Sequence, residues 1–203
     1  TDYVMYDLNA HEKMYPASIT KVMTAALTLD AVSEGKLSLD EIITAGPTAW
    51  QGLDTSSSNQ NIQVGEQMSV KDLLYCLMVA SANEAANILA VAVAGSIDNF
   101  VAMMNAKAAE LGCTGTHFVN PDGMPDNDHY TTAYDLYLIG KYAMQNETFR
   151  TIVKTPEYYV EPTNMNGNRR HFFNTNGLLS NKKYAGYYYE NCIGIKTGST
   201  DSA

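Results

Sequence analysis

Helical periodicity through the middle of the chain, between strand-like ends, is the sequence feature that most constrains the fold. Apolar residues recur every three or four positions in five segments, 18–33, 69–81, 84–94, 98–111 and 132–142. Two of these segments start with a capping box, Ser69 with Asp72 and Thr132 with Asp135, and Gly112 is placed to end a third. The sequence therefore predicts a helical middle.

The two ends of the chain predict strands. Residues 4–8 and 192–197 are short apolar runs, and residues 158–173 carry two strand patterns around an Asn-rich turn, which predicts a hairpin. A long polar loop is expected over 46–63. The simplest architecture is an α/β (α+β) fold, in which an antiparallel sheet from the two chain ends packs against a helical region of about 66–155.

Composition and charge exclude several classes of protein. The 203 residues are 45% hydrophobic and 17% charged, which is too apolar for a disordered chain and suits a domain with a sizeable core. The net charge of −9 disfavours binding of a nucleic-acid backbone. No apolar run reaches the ~20 residues that span a bilayer. The three cysteines, Cys76, Cys113 and Cys192, are expected to be small core residues.

A Ser-x-x-Lys motif opens the first predicted helix. Ser18 and Lys21 are three residues apart, so their side chains share one face of that helix. A serine hydroxyl needs a base to become a nucleophile, and a lysine with a lowered pKa can be that base. Taken alone, Ser18 also fits an ordinary helix N-cap. Two further Ser-x-x-Lys motifs, at 33–36 and 180–183, lie at a helix end and in a polar loop.

Two more short motifs follow in order. Ser81 and Asn83 stand between two apolar helices, where a hydroxyl and an amide could face a cleft. Lys196 and Thr197, followed by glycine, end the last predicted strand and could donate hydrogen bonds to a carboxylate. Ser-x-x-Lys, Ser-x-Asn and Lys-Thr-Gly in this order are the signature of penicillin-binding proteins and class A β-lactamases.

The chain resembles the serine D-alanyl-D-alanine carboxypeptidases, the low-molecular-mass penicillin-binding proteins of peptidase S11 type, over essentially its whole length. Five segments carry the resemblance: PASITKVMTA at 16–25, FVNPDGM at 118–124, HYTTA at 129–133, NTNGLL at 174–179 and GIKTGST at 194–200. The resemblance implies a β-lactamase/penicillin-binding transpeptidase-like fold. It also implies that 1–203 is a single catalytic domain, incomplete at both ends.

The resemblance implies a catalytic role for five residues. Ser18 would be acylated and Lys21 would be its base, while Ser81 and Asn83 would relay a proton and hold the substrate amide. Lys196 would bind the terminal carboxylate of the peptide, or the carboxylate of a β-lactam. We also expect Lys196 and Lys21 to lower each other's pKa, because like charges disfavour protonation.

Three further residues are implied in substrate binding. Thr197 would join Lys196 at the carboxylate, with Gly198 beside it, and the backbone N–H groups of Ser199 and Ser18 would form the oxyanion hole. Neither a cofactor nor a metal is required by this chemistry. The acidic run Asp122, Asp126 and Asp128 with His129 lacks the glycine and distal glutamate of an EF-hand, so we expect no metal there.

Two positions depart from the family pattern. Glu84 follows Ser-Ala-Asn where many relatives have aspartate, and Thr175 stands where some have an arginine that helps the carboxylate site. A group of four tyrosines could stack on a sugar or peptide ligand, although such residues also occur on an ordinary surface or sheet face. These are Tyr184, Tyr187, Tyr188 and Tyr189.

The implied function is removal of the terminal D-Ala from peptidoglycan stem pentapeptides through a Ser18 acyl-enzyme, inhibited by β-lactam antibiotics. The alternatives are a peptidoglycan D,D-endopeptidase, a β-lactamase and a non-catalytic peptidoglycan-binding protein. No Glu-x-x-Leu-Asn segment lies between the second and third motifs, which disfavours a β-lactamase. The expected location is extracytoplasmic, in the periplasm or at the outer face of the membrane. Any membrane attachment would come through segments outside this sequence, and we expect no nucleic acid partner.

Overall fold

The structure, a computed structural model, describes Val4, 6–182 and 184–199. Within these residues the helices are α1 (Lys21–Ser33), α2 (Val70–Met78), α3 (Asn83–Ala94), α4 (Ile97–Glu110), α5 (Ala133–Ala143) and α6 (Glu147–Val153). The strands are β1 (Ile42–Thr44), β2 (Gln67–Ser69), β3 (Glu157–Val160) and β4 (Arg170–Phe173). Three short 3₁₀ turns occupy Ala17–Thr20, Pro47–Trp50 and Gly177–Leu179.

Helix α1 lies at the centre of the fold. It packs against α2, α3, α4, α5 and α6, and buried residues occupy all of its faces. A helix that is buried all round must be enclosed by others, so the remaining helices form a shell around it. Its buried hydroxyls have acceptors: Thr24 donates to the Pro121 carbonyl of a distant loop at 2.6 Å and Thr28 to the Thr24 carbonyl of the same helix at 2.8 Å. The first turn of α1 is thereby fixed inside the protein.

The helix boundaries follow from caps that the sequence predicts. The Ser69 hydroxyl accepts the backbone N–H of Asp72 at 3.0 Å, and the Thr132 hydroxyl accepts that of Asp135 at 3.1 Å, so both predicted helix N-caps are confirmed. The predicted helices 84–94 and 98–111 are present as α3 and α4. Gly112, at a φ of 83°, follows the end of α4.

Two small antiparallel sheets flank the helices. β1 pairs with β2, and β3 pairs with β4 in the register Tyr158 opposite Phe172, which confirms the predicted hairpin. An ion pair between Arg170 of β4 and Glu66, the residue before β2, joins the two sheets. The predicted loop 46–63 holds the Pro47–Trp50 turn and no other helix or strand.

The expected sheet from the two chain ends is not formed by the described residues. Met5 lies outside them; Val4, Tyr6 and Leu8 are exposed and are not in a strand, and neither is 192–197. Extended backbone becomes a strand only when a neighbouring strand satisfies its N–H and C=O groups, and the described residues of the two ends share no backbone hydrogen bond. The described fold is therefore mostly helical.

The three cysteines differ in burial. Cys76 is buried, whereas Cys113 and Cys192 are only half-buried, so the prediction of core cysteines holds fully for one of the three.

Among the described helices, none alone is long and apolar enough to cross a membrane; α3 and α4 pass by length and composition only as a pair bent by 85°.

Candidate active site

The turn that carries Ser18 is held in an unusual backbone conformation. Ala17 has a φ of 48°, in the left-handed region that residues other than glycine rarely adopt. The Ala17–Thr20 turn then runs directly into α1, which begins at Lys21. Ser18 is half-buried, but Lys21 is completely buried. The hydroxyl therefore faces open space while the amine lies behind it.

Three oxygen atoms surround the Lys21 amine. Nζ donates to Ser18 Oγ at 3.0 Å, to Asn83 Oδ1 at 2.6 Å and to the Asp122 carbonyl at 2.6 Å. These acceptors come from three separate segments: the 3₁₀ turn, the start of α3 and the loop before α5. The sequence motifs point to the first two acceptors; the Asp122 carbonyl is a backbone group, and no motif identifies it.

Burial lowers the pKa of Lys21 to about 8, because the charged ammonium loses its water. The carboxylates of Asp122 and Glu84 act in the opposite direction and raise it. Desolvation is the largest cause of the shift, and the expected mutual effect of Lys196 and Lys21 on each other's pKa stays a prediction. The lowering comes from the dry environment of the helix start.

The Ser81–Asn83 segment connects α2 to α3. Ser81 is buried and has a φ of 62°, again in the left-handed region. Asn83 is the first residue of α3; its Oδ1 accepts from Lys21, and its Nδ2 lies 3.4 Å from Met124 Sδ. The amide is thus fixed between the Lys21 amine and Met124 of the 122–125 loop.

The loop of Asp122 and Gly123 packs directly against the Ser18 turn. Gly123 has a φ of 89°, and a Cβ there would clash with the Ala17 carbonyl and lie 3.0 Å from the Ser18 nitrogen. The Asp122 carboxylate accepts the N–H of Met124 at 2.7 Å, and burial raises the pKa of this carboxyl. Only a glycine permits this approach, which places the Asp122 carbonyl on the Lys21 amine.

The Lys-Thr-Gly segment lies on the other side of the Ser18 turn. Lys196 Nζ lies 3.5 Å from Thr175 Oγ1, and Thr197 Oγ1 donates to the same hydroxyl at 2.7 Å. A Cβ on Gly198 would lie 2.9 Å from the Pro16 carbonyl, so this segment also packs closely on the turn. Thr175 therefore joins Lys196 and Thr197.

An open cleft of about 440 Å³ lies in front of Ser18. Ser18, Asn83 and Ser199 line it together with the 122–125 loop, and Asp54 with residues 56–58 forms the facing wall. The structure thus brings Ser18, Lys21 and Asn83 into direct hydrogen bonding and places Ser199 on the cleft. Sequence reasoning identified the 46–63 loop as a surface loop but did not identify it as a wall of the site.

The residues considered for a metal have other partners. Asp126 Oδ1 accepts the N–H of Asp128, and His129 is buried, with Nε2 2.8 Å from Thr20 Oγ1 and Nδ1 accepting the N–H of Val119 at 3.1 Å. Burial lowers the pKa of His129 to about 4, so it is neutral near pH 7. In the part of the chain that the structure describes, no three His, Cys, Asp or Glu side chains are grouped for a metal.

Known proteins match this chain in sequence and in fold. All of 1–203 matches the peptidase S11 family, described as D-alanyl-D-alanine carboxypeptidase. The D-alanyl-D-alanine carboxypeptidase DacF of Bacillus subtilis is 34% identical over 100% of this chain and 49% of its own length. The D-alanyl-D-alanine carboxypeptidase of Streptomyces sp. strain K15 is 34% identical over 100% of this chain and 70% of its own length.

Solved structures give the same result. The Streptomyces K15 DD-transpeptidase superimposes with a TM-score of 0.85 at 34% identity, over 98% of this chain and 76% of that one. Penicillin binding protein 5 from Haemophilus influenzae superimposes with a TM-score of 0.85 at 31% identity, over 99% and 55%. The structure therefore has the penicillin-binding protein fold. The chain belongs to the peptidase S11, D-alanyl-D-alanine carboxypeptidase family, and it spans about half the length of the B. subtilis relative.

The close packing of Gly123 on the Ser18 turn predicts a large effect of one methyl group. Gly123→Ala should lower the free energy of unfolding by about 3 kcal/mol, because steric overlap with Ala17 adds to the ~1 kcal/mol cost of a positive φ. Gly65→Ala is the matched control: its φ is 91°, but no atom lies within 4 Å of the added Cβ. Urea unfolding of both variants measures the difference, and equal losses would contradict the packing described.

Proposed function

We propose that this chain carries the catalytic centre of a D,D-carboxypeptidase, which removes the terminal D-alanine from peptidoglycan stem pentapeptides. The proposal rests on the environment of the Lys21 amine. This amine is buried, its pKa is lowered to about 8, and it lies 3.0 Å from Ser18 Oγ. A neutral amine at that distance is a general base for the hydroxyl. Family membership supplies the class of substrate.

In the acylation step, neutral Lys21 takes the proton of Ser18 Oγ, and Oγ attacks the carbonyl carbon of the penultimate D-alanine. The negative charge that develops on the carbonyl oxygen is stabilised by the backbone N–H groups of Ser18 and Ser199. The C–N bond then breaks, and the terminal D-alanine leaves as its amine after receiving a proton through Lys21 and Ser81. Ser18 keeps the shortened peptide as an ester.

In the deacylation step, water attacks this ester and the tetrapeptide leaves with a new carboxylate, which returns Ser18 to its hydroxyl form. Asn83 supports both steps: its Oδ1 holds the Lys21 amine, and its Nδ2, which donates one N–H to Met124 Sδ, has a second N–H that would donate to a substrate carbonyl in the cleft. Losing a positioned donor of this kind typically costs about 10²–10³ in rate.

Lys196 and Thr197 would bind the terminal carboxylate of the substrate, beside Gly198. Their shared contact with Thr175 orders the two donors before substrate arrives. A β-lactam carboxylate would occupy the same position, which makes β-lactam antibiotics inhibitors that acylate Ser18. Residues 1–203 act as one catalytic domain in this proposal. The reaction takes place outside the cytoplasmic membrane, where peptidoglycan stem peptides are exposed.

Intact mass after incubation with benzylpenicillin tests the acylating serine. We expect a stable adduct on the natural sequence and none on Ser18→Ala. Ser33→Ala is the matched control, because Ser33 belongs to a second Ser-x-x-Lys motif but donates to the Leu29 carbonyl at 2.9 Å; it should keep the adduct. An adduct that survives Ser18→Ala would contradict the proposal.

Release of D-alanine from a stem pentapeptide then separates the related activities. Free D-alanine supports the carboxypeptidase, whereas cleavage only of cross-linked peptides indicates an endopeptidase. Rapid return of hydrolysed penicillin without a lasting adduct indicates a β-lactamase, and neither adduct nor hydrolysis indicates a binding protein.

The lowered pKa of Lys21 predicts the pH dependence of acylation. Below about pH 8 the amine is protonated and cannot accept a proton, so the second-order rate of acylation should fall about tenfold per pH unit and level off above pH 8. Asp122→Asn removes a negative charge that raises this pKa, so it should move the midpoint to lower pH. Stopped-flow acylation by a chromogenic β-lactam measures both; a rate independent of pH between 6 and 9 would exclude Lys21 as the base.

A further inference from the structure

The facing wall of the cleft, residues 54–58, belongs to a loop that has little regular structure of its own. Between the Pro47–Trp50 turn and β2 the described backbone forms only turns, and the contacts inside the wall are local: the Asp54 carboxylate accepts from the N–H groups of Ser56 and Ser57 at 2.8 and 2.9 Å. A segment of this kind adopts a single position only if contacts with the rest of the fold fix it there.

Helix α3 holds this loop at three successive points. The N–H of Asn83 donates to the Ser58 carbonyl at 2.9 Å. Glu84 Oε1 accepts the N–H groups of Gln60 at 2.6 Å and Ile62 at 3.3 Å. Farther along the helix, Asn87 Nδ2 donates to the carbonyl groups of Ala49 and Gln51 at 3.1 and 3.0 Å, respectively. The anchors therefore lie on both sides of the wall.

Glu84 differs from the other two anchors, Asn83 and Asn87, in carrying a carboxyl group into the protein interior. Its side chain is completely buried, and no described group donates a hydrogen bond to its second oxygen, Oε2. Leaving a buried acceptor unpaired is costly, so the carboxyl is kept there by the two amides that Oε1 accepts. Glu84 directly follows Asn83, whose side chain accepts a hydrogen bond from the Lys21 amine. The first turn of α3 therefore fixes the positions of both the Lys21 amine and the 54–58 wall.

We propose that Glu84 is a positioning residue that fixes the 54–58 wall of the cleft and so determines how tightly the enzyme binds the part of a stem peptide that precedes D-Ala-D-Ala. This rests on the proposed carboxypeptidase function. Glu84 makes no hydrogen bond to Ser18 or to the Lys21 amine and affects that amine only through its charge. When Lys21 is kept neutral, the loss of Glu84 therefore acts on the substrate's binding surface rather than on the bond-making groups. A short β-lactam fills less of the cleft than a pentapeptide and depends less on this wall.

The test compares Glu84→Ala, Glu84→Gln and the natural sequence. Glutamine keeps an Oε1 acceptor for both amides without a charge, whereas alanine removes it. We expect KM for a stem pentapeptide to rise about tenfold in Glu84→Ala and to return to within about threefold in Glu84→Gln, with kcat and acylation by benzylpenicillin changing less than about threefold. Assays at about pH 9.5 keep Lys21 neutral in every variant, because removing the Glu84 charge also lowers the Lys21 pKa.

Asp72→Ala is the matched control. Its carboxylate also ties separate elements together, by accepting from the Tyr158 hydroxyl at 2.8 Å, but it does not line the cleft. It should lower stability without raising KM. An unchanged KM in Glu84→Ala, an equal rise in Asp72→Ala, or a KM that Glu84→Gln fails to restore would each overturn the proposal.

Hydrogen exchange tests the anchor independently of activity. The amides of Gln60 and Ile62 should exchange at least about tenfold faster in Glu84→Ala and at a near-natural rate in Glu84→Gln. If the natural chain releases no D-alanine, the proposed function fails while this readout still decides whether Glu84 fixes the loop. Unchanged exchange in Glu84→Ala would overturn the anchor itself.

Discussion

The removal of the Lys21 amine from water is the constraint on which the rest of the site depends. A buried ammonium loses hydration that a few neighbours replace only in part, so the neutral form is favoured. The three acceptors of this amine come from the Ser18 turn, from α3 and from the Asp122 loop. Packing of these segments around one nitrogen atom therefore aligns the Ser18 hydroxyl, the Lys21 amine and the Asn83 amide.

Two carboxyl groups limit how far burial lowers the pKa of Lys21. Asp122 and Glu84 both raise it, and burial raises the pKa of each of them in turn. The balance gives Lys21 a pKa of about 8. Near that pH, a small change in local charge alters the fraction of neutral amine. Both carboxyl groups also organise backbone: Asp122 accepts from Met124, and Glu84 accepts from the loop that forms the cleft wall. The same two side chains therefore affect both the pKa of Lys21 and the positions of two loops that line the cleft.

The sequence predicted those structural features that depend on interactions between residues close together in the chain. The helix N-caps at Ser69 and Thr132 and the hairpin around 158–173 are present, because caps and tight turns are set by residues within a few positions of one another. The strands expected at 4–8 and 192–197 required a partner strand, and no local pattern reveals whether one is available. The motifs also located Ser18, Lys21 and Asn83, but the Asp122 carbonyl and the close approach of Gly123 are backbone features that only the folded chain shows.

The most direct test of this picture is the titration of Lys21 itself. NMR of the chain labelled at the lysine side chains, with Lys21→Arg to assign the signal, follows the Nζ or Cε chemical shift between about pH 6 and 12. Burial of the amine predicts a midpoint of about 8. A midpoint near the ordinary lysine value of 10.5 would show that the amine is charged at neutral pH and would contradict its role as the base.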